Sequence, residues 1–146
     1  MLAEEHSNLN NLLTDYDNYK NMLKIEFLYY DKNNCKRCFS TAKSVRLTLK
    51  ELKKVIKDTE MSIDLKEKKL PESKIHLSPS ILINGKDIEK LLNKNSKLKS
   101  NVCSDCCKLS GHSVNCRTFN YRGKNYNYIP KEMIREAINL VFKTFD

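Results

Sequence analysis

Residues 24–30, Lys-Ile-Glu-Phe-Leu-Tyr-Tyr, form an unbroken aromatic and β-branched run that stops at Asp31-Lys32-Asn33-Asn34. A run of this composition reads as a buried strand. Ala42, Val45, Leu49, Leu52 and Ile56 then recur on one face at helical spacing, with Lys43, Lys50, Lys53, Lys54 and Lys57 off that face. The spacing predicts an amphipathic helix from near Cys35 to near Asp58. Residues 61–66, Met-Ser-Ile-Asp-Leu-Lys, alternate and predict a half-buried strand. Strand, helix, strand in this order calls for a crossover joining two parallel strands. The chain is thereby committed to an α/β fold.

The remaining punctuation extends that unit. Ser78-Pro79-Ser80 leads into the apolar triplet Ile81-Leu82-Ile83, and Asn84-Gly85 is a strong hairpin signal. Lys86-Asp87-Ile88 returns from the turn, and residues 88–92 begin a short helix. Pro130 opens a last helix with Ile134, Ala137, Ile138, Val141 and Phe145 on its buried stripe. The expected architecture is a central mixed sheet flanked by helices. Residues 93–128 interrupt it: they hold four of the six cysteines and little periodicity, and read as a Cys-rich insertion held by its cysteines, not by a core. Its Tyr121, Tyr126 and Tyr128 are expected to pack it against the domain. Residues 1–21 carry Leu9, Leu12, Leu13 and Tyr16 at helical spacing, diluted by Asn and Asp. They read as a helical or frayed extension ahead of a single domain, 22–146.

Cys35-Lys36-Arg37-Cys38 falls between the first strand and its helix. The thiolate is the reactive form of cysteine, and a helix N-terminus favours it with free N–H groups and partial positive charge. Lys36 and Arg37 add two cations. An i, i+3 spacing in the first turn lets the two sulfurs form a disulfide, with Cys35 attacking and Cys38 resolving. The competing assignment is half of a zinc site. A second C-x2-C exists at Cys103 and Cys106, but 64 residues separate the pairs. That exceeds the usual ribbon spacing of about 15–20, so redox chemistry is preferred over a site shared by the two pairs.

The strand, the CxxC helix, and the proline, apolar strand, Asn-Gly hairpin and short helix of residues 78–92 together resemble the thioredoxin/glutaredoxin superfamily. More closely, the chain looks like a bacterial and archaeal family of thioredoxin-like domains of unknown function. The residues that carry this likeness are 25–30, Cys35-x-Arg37-Cys38, Ser78-Pro79 with 81–85, Cys103 and Cys106, Cys116-Arg117, Tyr121, Gly123, Tyr126, Pro130 and the last helix. The resemblance implies a thioredoxin-like fold with Pro79 in the cis form, facing the CxxC pair. It also implies that the backbone of Ser78 pairs with an extended substrate or ligand.

Cys103-Ser104-Asp105-Cys106-Cys107 is followed by His112 and Cys116. Three readings are open for this cluster. A structural zinc site would use Cys103, Cys106, Cys116 and either Cys107 or His112. A relay would exchange disulfides with Cys35 and Cys38. A soft-metal or metalloid site would exploit the same thiolates. Arg117 is placed to stabilise a thiolate or to bind an anion.

The leading functional reading is a thiol–disulfide oxidoreductase acting on a protein or small-molecule disulfide or thiol, with Lys36, Arg37, Ser78 and Arg117 facing the substrate and no cofactor. The alternative is a non-enzymatic protein binding zinc, another soft metal or a metalloid. A scaffold without turnover is the third. The formal net charge of +9 comes from lysines spread along the chain, without the aromatic interleaving of a base-stacking face. Nucleic acid is therefore not the expected partner, and no stretch has the length of a membrane span. Residues 1–11 lack the basic and apolar regions of a signal peptide, so a reducing cytoplasmic setting is expected.

Overall fold

The computed structural model describes residues 21–145; residues 1–20 of the segment read as a helical or frayed extension lie outside them. Strand β1 (Met22–Tyr29) is followed by helix α1 (Lys36–Ile56) and strand β2 (Ser62–Lys69). A 3-10 turn (Glu72–Leu77) leads to β3 (Ser80–Ile83), β4 (Lys86–Asp87) and the short helix α2 (Ile88–Leu92). The Cys-rich segment holds β5 (Lys99–Val102), α3 (Ser104–Ser110), β6 (Asn115–Tyr121) and β7 (Lys124–Tyr126), and α4 (Lys131–Phe142) follows.

Four strands form one mixed sheet in the order β2-β1-β3-β4. β1 and β2 run parallel from Met22 opposite Ser62 to Tyr29 opposite Lys69, as the crossover requires. β3 lies antiparallel on the other edge of β1, with Ile25 opposite Ile83 and Leu28 opposite Ser80. Asn84 and Gly85 both take positive φ, 50° and 82°, which is the geometry of a tight type I′ hairpin. The Asn84 carboxamide also accepts the Lys24 N–H at 2.8 Å, fixing the turn to β1.

β1 reads from its sequence as a buried strand, and the burial is one-sided: Leu23, Ile25 and Phe27 are fully buried, while Lys24, Glu26 and Leu28 are half-buried. The inward residues join Val45, Leu49, Leu52 and Ile56 of α1 and Met133, Ile134, Ala137 and Ile138 of α4 in one core. Each fully buried side chain of this size contributes about 1.5–3 kcal/mol of transfer free energy. Glu51 fastens the two helices on their solvent side, accepting from Lys131 at 2.7 Å and from Arg135 at 2.9 Å.

The first half of α1 buries a polar face instead: Thr41, Ser44 and Thr48 return their hydroxyls to the carbonyls four residues back. Thr41 Oγ1 also accepts from the Ile129 N–H at 3.1 Å, which seats the entry to α4.

The segment expected to lack a core does share one. β5, β6 and β7 form a three-stranded antiparallel sheet, and β6 sends Phe119 and Tyr121 into the main cluster. Arg122 and Gly123, with φ of 51° and 78°, close a second type I′ hairpin between β6 and β7. Tyr126 then stands between Tyr121 and Tyr128, ring centroids 6.5 and 5.8 Å apart, as a packed aromatic row.

Candidate metal centre

The C-x2-C of residues 35–38 opens α1. Asp31 Oδ1 accepts from the N–H groups of Asn33 at 3.0 Å and Asn34 at 2.9 Å, an Asx turn that aims the chain into the helix. Cys35 is the N-cap residue, with extended φ and ψ, and its carbonyl accepts the first helical bond from Phe39. Cys38 sits one turn further in. Its Sγ lies 2.9 Å from Ser78 Oγ, which also accepts the Tyr30 N–H at 2.9 Å. The Ser78–Pro79 bond is cis.

The C-x2-C of residues 103–106 repeats this construction. Cys103 is the extended N-cap of α3, and its carbonyl accepts from the Cys107 N–H at 2.9 Å. Gly111, at φ 82°, ends the helix in the left-handed conformation that favours glycine. β6 then returns beside β5 and brings Cys116 opposite Asn101.

These elements converge. The sulfurs of Cys35, Cys103, Cys106 and Cys116 all lie within 4.8 Å of one another, and all four residues are buried. Cys35 Sγ is 3.5 Å from that of Cys106 and 3.8 Å from that of Cys103. Four sulfurs at a zinc–sulfur distance of about 2.3 Å stand at the corners of a tetrahedron with edges of about 3.8 Å. The donor set, all thiol, suits zinc and softer metals.

Two polar contacts hold the α1 terminus against the Cys-rich segment. Asp105 Oδ2 accepts the Lys36 backbone N–H at 2.9 Å, so an acid on α3 caps α1. The Arg37 guanidinium donates to the carbonyls of Cys116 at 3.2 Å and Val102 at 2.9 Å, bridging β6 and β5.

Proximity splits the thiol acidities. Contacts with Cys106, Cys116 and Cys38 pull the Cys35 thiol well below its ordinary value, against the opposing effect of burial. Cys38 is pushed up by its contact with Cys35 and by burial. Cys116 is pushed up by its contacts with Cys106 and Cys35 and by burial. Cys106 also moves up: its contact with Cys116 favours ionisation, but Cys35 and burial outweigh it. Ionisation of Cys35 thus opposes ionisation of its neighbours, and a cation among the sulfurs would relieve that opposition.

Several sequence expectations are corrected by this arrangement. The 64-residue separation does not keep the two pairs apart, because the chain folds back to place Cys35 among Cys103, Cys106 and Cys116. The fourth member is neither Cys107 nor His112. Cys107 Sγ points to the backbone of Val114, 3.6 Å from its carbonyl, and exposed His112 lies 3.4 Å from Glu72. No disulfide joins any of the six cysteines, and Cys35 is fully buried.

Of the residues assigned to the substrate, Arg37, Ser78 and Arg117 are engaged within the chain, while the Lys36 side chain is exposed. Ser78 donates its N–H to Ile75 and accepts from the Arg117 N–H, each at 2.8 Å. Arg117 is 3% exposed and pairs with Asp87 at 2.7 Å and Glu89 at 2.9 Å, besides donating to Ser80 Oγ. Burial disfavours its charge, but the two carboxylates outweigh that and raise its pKa. Sequence reasoning missed Asp105, Asp87 and Glu89. Asp105 stands in the first turn of the second C-x2-C helix, where an acid is favoured, and that was a readable signal.

Among the described residues no helix is long and apolar enough to cross a membrane. No curated protein and no solved structure matches the chain. Residues 23–138, from the start of β1 into α4 and including all six cysteines, match the family described as Domain of unknown function (DUF2703), and the chain belongs to it.

Proposed function

We propose that this protein binds a thiophilic metal ion, zinc in the first instance, through the thiolates of Cys35, Cys103, Cys106 and Cys116. The observation that supports this reading most is the mutual approach of four buried sulfurs to within 4.8 Å, supplied by two helix N-termini and a strand. A closed set of four protein ligands fits a structural site better than a catalytic one, which keeps a position open.

The test is metal content after purification in zinc-containing medium under reducing conditions. Wild type, Cys38→Ser and Cys107→Ser should each retain about one zinc per chain, whereas Cys35→Ser and Cys116→Ser should lose it to a mild chelator. Zinc retained equally by Cys35→Ser would refute the assignment.

A second reading is favoured by the lowered pKa of the Cys35 thiol and its contact with Cys38. Here the domain is thioredoxin-like, with cis Pro79 beside the CxxC helix. The Cys35 thiolate attacks a protein or small-molecule disulfide and expels one thiolate. Cys38 then displaces the second, leaving a Cys35–Cys38 disulfide for an external dithiol to reduce. Turnover of a disulfide substrate by metal-free protein, lost in Cys35→Ser, would favour this reading. Both readings suit a reducing setting such as the cytoplasm.

A further inference from the structure

Of the two cysteines outside the four-sulfur set, Cys38 and Cys107, Cys38 is the one in contact with Cys35. It is fully buried, one helical turn from Cys35, in the same cluster of side chains as the four ligands. Residues three apart on a helix have Cβ atoms about 5–6 Å apart, within reach of a disulfide after a modest rotation. Its hydrogen-bonding partner is Ser78 Oγ, at 2.9 Å.

The ligands divide unequally between the elements. Cys103, Cys106 and Cys116 come from the Cys-rich segment, and Cys35 alone comes from α1. Whatever removes Cys35 leaves three thiolates on the metal and cuts its only thiolate link to the main sheet and its helix.

From these placements we infer that the metal centre is redox-released: oxidation by a peroxide joins Cys35 to Cys38, withdraws Cys35 from the metal and lets the metal leave. The inference rests on the metal-binding reading. The Cys35 thiolate attacks one oxygen of the peroxide and becomes a sulfenic acid, expelling hydroxide. The Cys38 sulfur attacks the sulfenic sulfur, the Cys38 proton leaves with the sulfenic oxygen as water, and the disulfide forms. In sum, one thiolate, one thiol and one hydrogen peroxide give one disulfide, one hydroxide and one water. Two electrons pass from the sulfur pair to the peroxide, while the metal changes neither charge nor oxidation state.

Cys103 and Cys106 stand close to Cys35 as well, but while the metal is bound they are held as ligands at tetrahedral distances. Cys38 is the neighbour outside the four-sulfur set. A dithiol reductant reverses the disulfide and restores the site.

The experiment uses the full chain loaded with zinc, treated with hydrogen peroxide and followed with a colorimetric zinc indicator. Disulfides are mapped in parallel by mass spectrometry. Wild type should release zinc together with formation of the Cys35–Cys38 disulfide, and rebind it after reduction. Cys38→Ser should take up one zinc yet release it at least about tenfold more slowly, because the sulfenic acid has lost its resolving thiol. Equal release rates in the two proteins would overturn the inference, as would a wild-type map in which Cys35 pairs with Cys103 or Cys106. The map alone decides if Cys38→Ser does not fold. Failure of untreated wild type to bind zinc refutes the metal-binding reading itself. Zinc that binds and is then not released by peroxide refutes only the switch.

Discussion

With its sulfur 3.5 Å from that of Cys106 and 3.8 Å from that of Cys103, Cys35 ties α1 to a segment whose cysteines begin 68 residues later. Replacing it by serine should weaken zinc binding by more than the about 10–100-fold that loss of an outer-shell partner costs. Competition with a chelator of known affinity checks this. The acidities set a pH dependence. Cys106 and Cys116 are shifted upward and Cys35 downward, so metal uptake must expel protons from the former pair. Protons compete with the metal, so affinity should rise with pH, and zinc binding near neutrality should release protons. Calorimetry in buffers of different ionisation enthalpy counts them, and an affinity flat across about pH 6–8 would contradict a thiolate site. At this scale the sequence was legible in part. Cys103, Cys106 and Cys116 were singled out together, because close spacing is a local signal. That Cys35 joins them and Cys38 does not is a consequence of tertiary return, which spacing along the chain cannot express.

Elements were legible where one face is apolar. β1, α1 and β3 stand close to where hydrophobic periodicity put them, and the Asn84-Gly85 turn is the hairpin its residues demand. β5 offered no such signal, since all four of its residues are exposed. The β6–β7 hairpin hid behind Arg122-Gly123, in which an arginine takes the left-handed position that asparagine usually fills. Missing β6 also concealed its shared core, and that sharing can be tested. Phe119→Ala should cost about 3–5 kcal/mol of unfolding free energy, as for a central core position. A loss below about 1 kcal/mol in denaturant titration would mean that the segment folds apart from the sheet. Arg117 anchors the same strand through its pairs with Asp87 and Glu89. Arg117→Ala should cost about 3–5 kcal/mol by leaving the buried Glu89 carboxylate unpaired, whereas Arg117→Met together with Glu89→Leu should recover part of it.

For the whole molecule, the four-cysteine cluster and the shared core are two separate fastenings between the main sheet and the Cys-rich segment. Phe119 and Tyr121 join the core, and Asp105 and Arg37 close the seam beside the sulfurs. Removing the metal should therefore loosen one end of the segment and leave the sheet intact. Hydrogen exchange after chelation should quicken in 99–117, while the amides of β1 and β3 keep their protection. Zinc in excess of its dissociation constant by about 1,000-fold should add about 4 kcal/mol to stability. The most direct measurement of the central claim is X-ray absorption at the zinc edge on the full chain. Four sulfur neighbours at about 2.3 Å, with no nitrogen or oxygen in the first shell, are what the Cys35, Cys103, Cys106 and Cys116 set predicts. A first shell containing imidazole nitrogen or water oxygen, or a four-sulfur shell unchanged in Cys35→Ser, would contradict it.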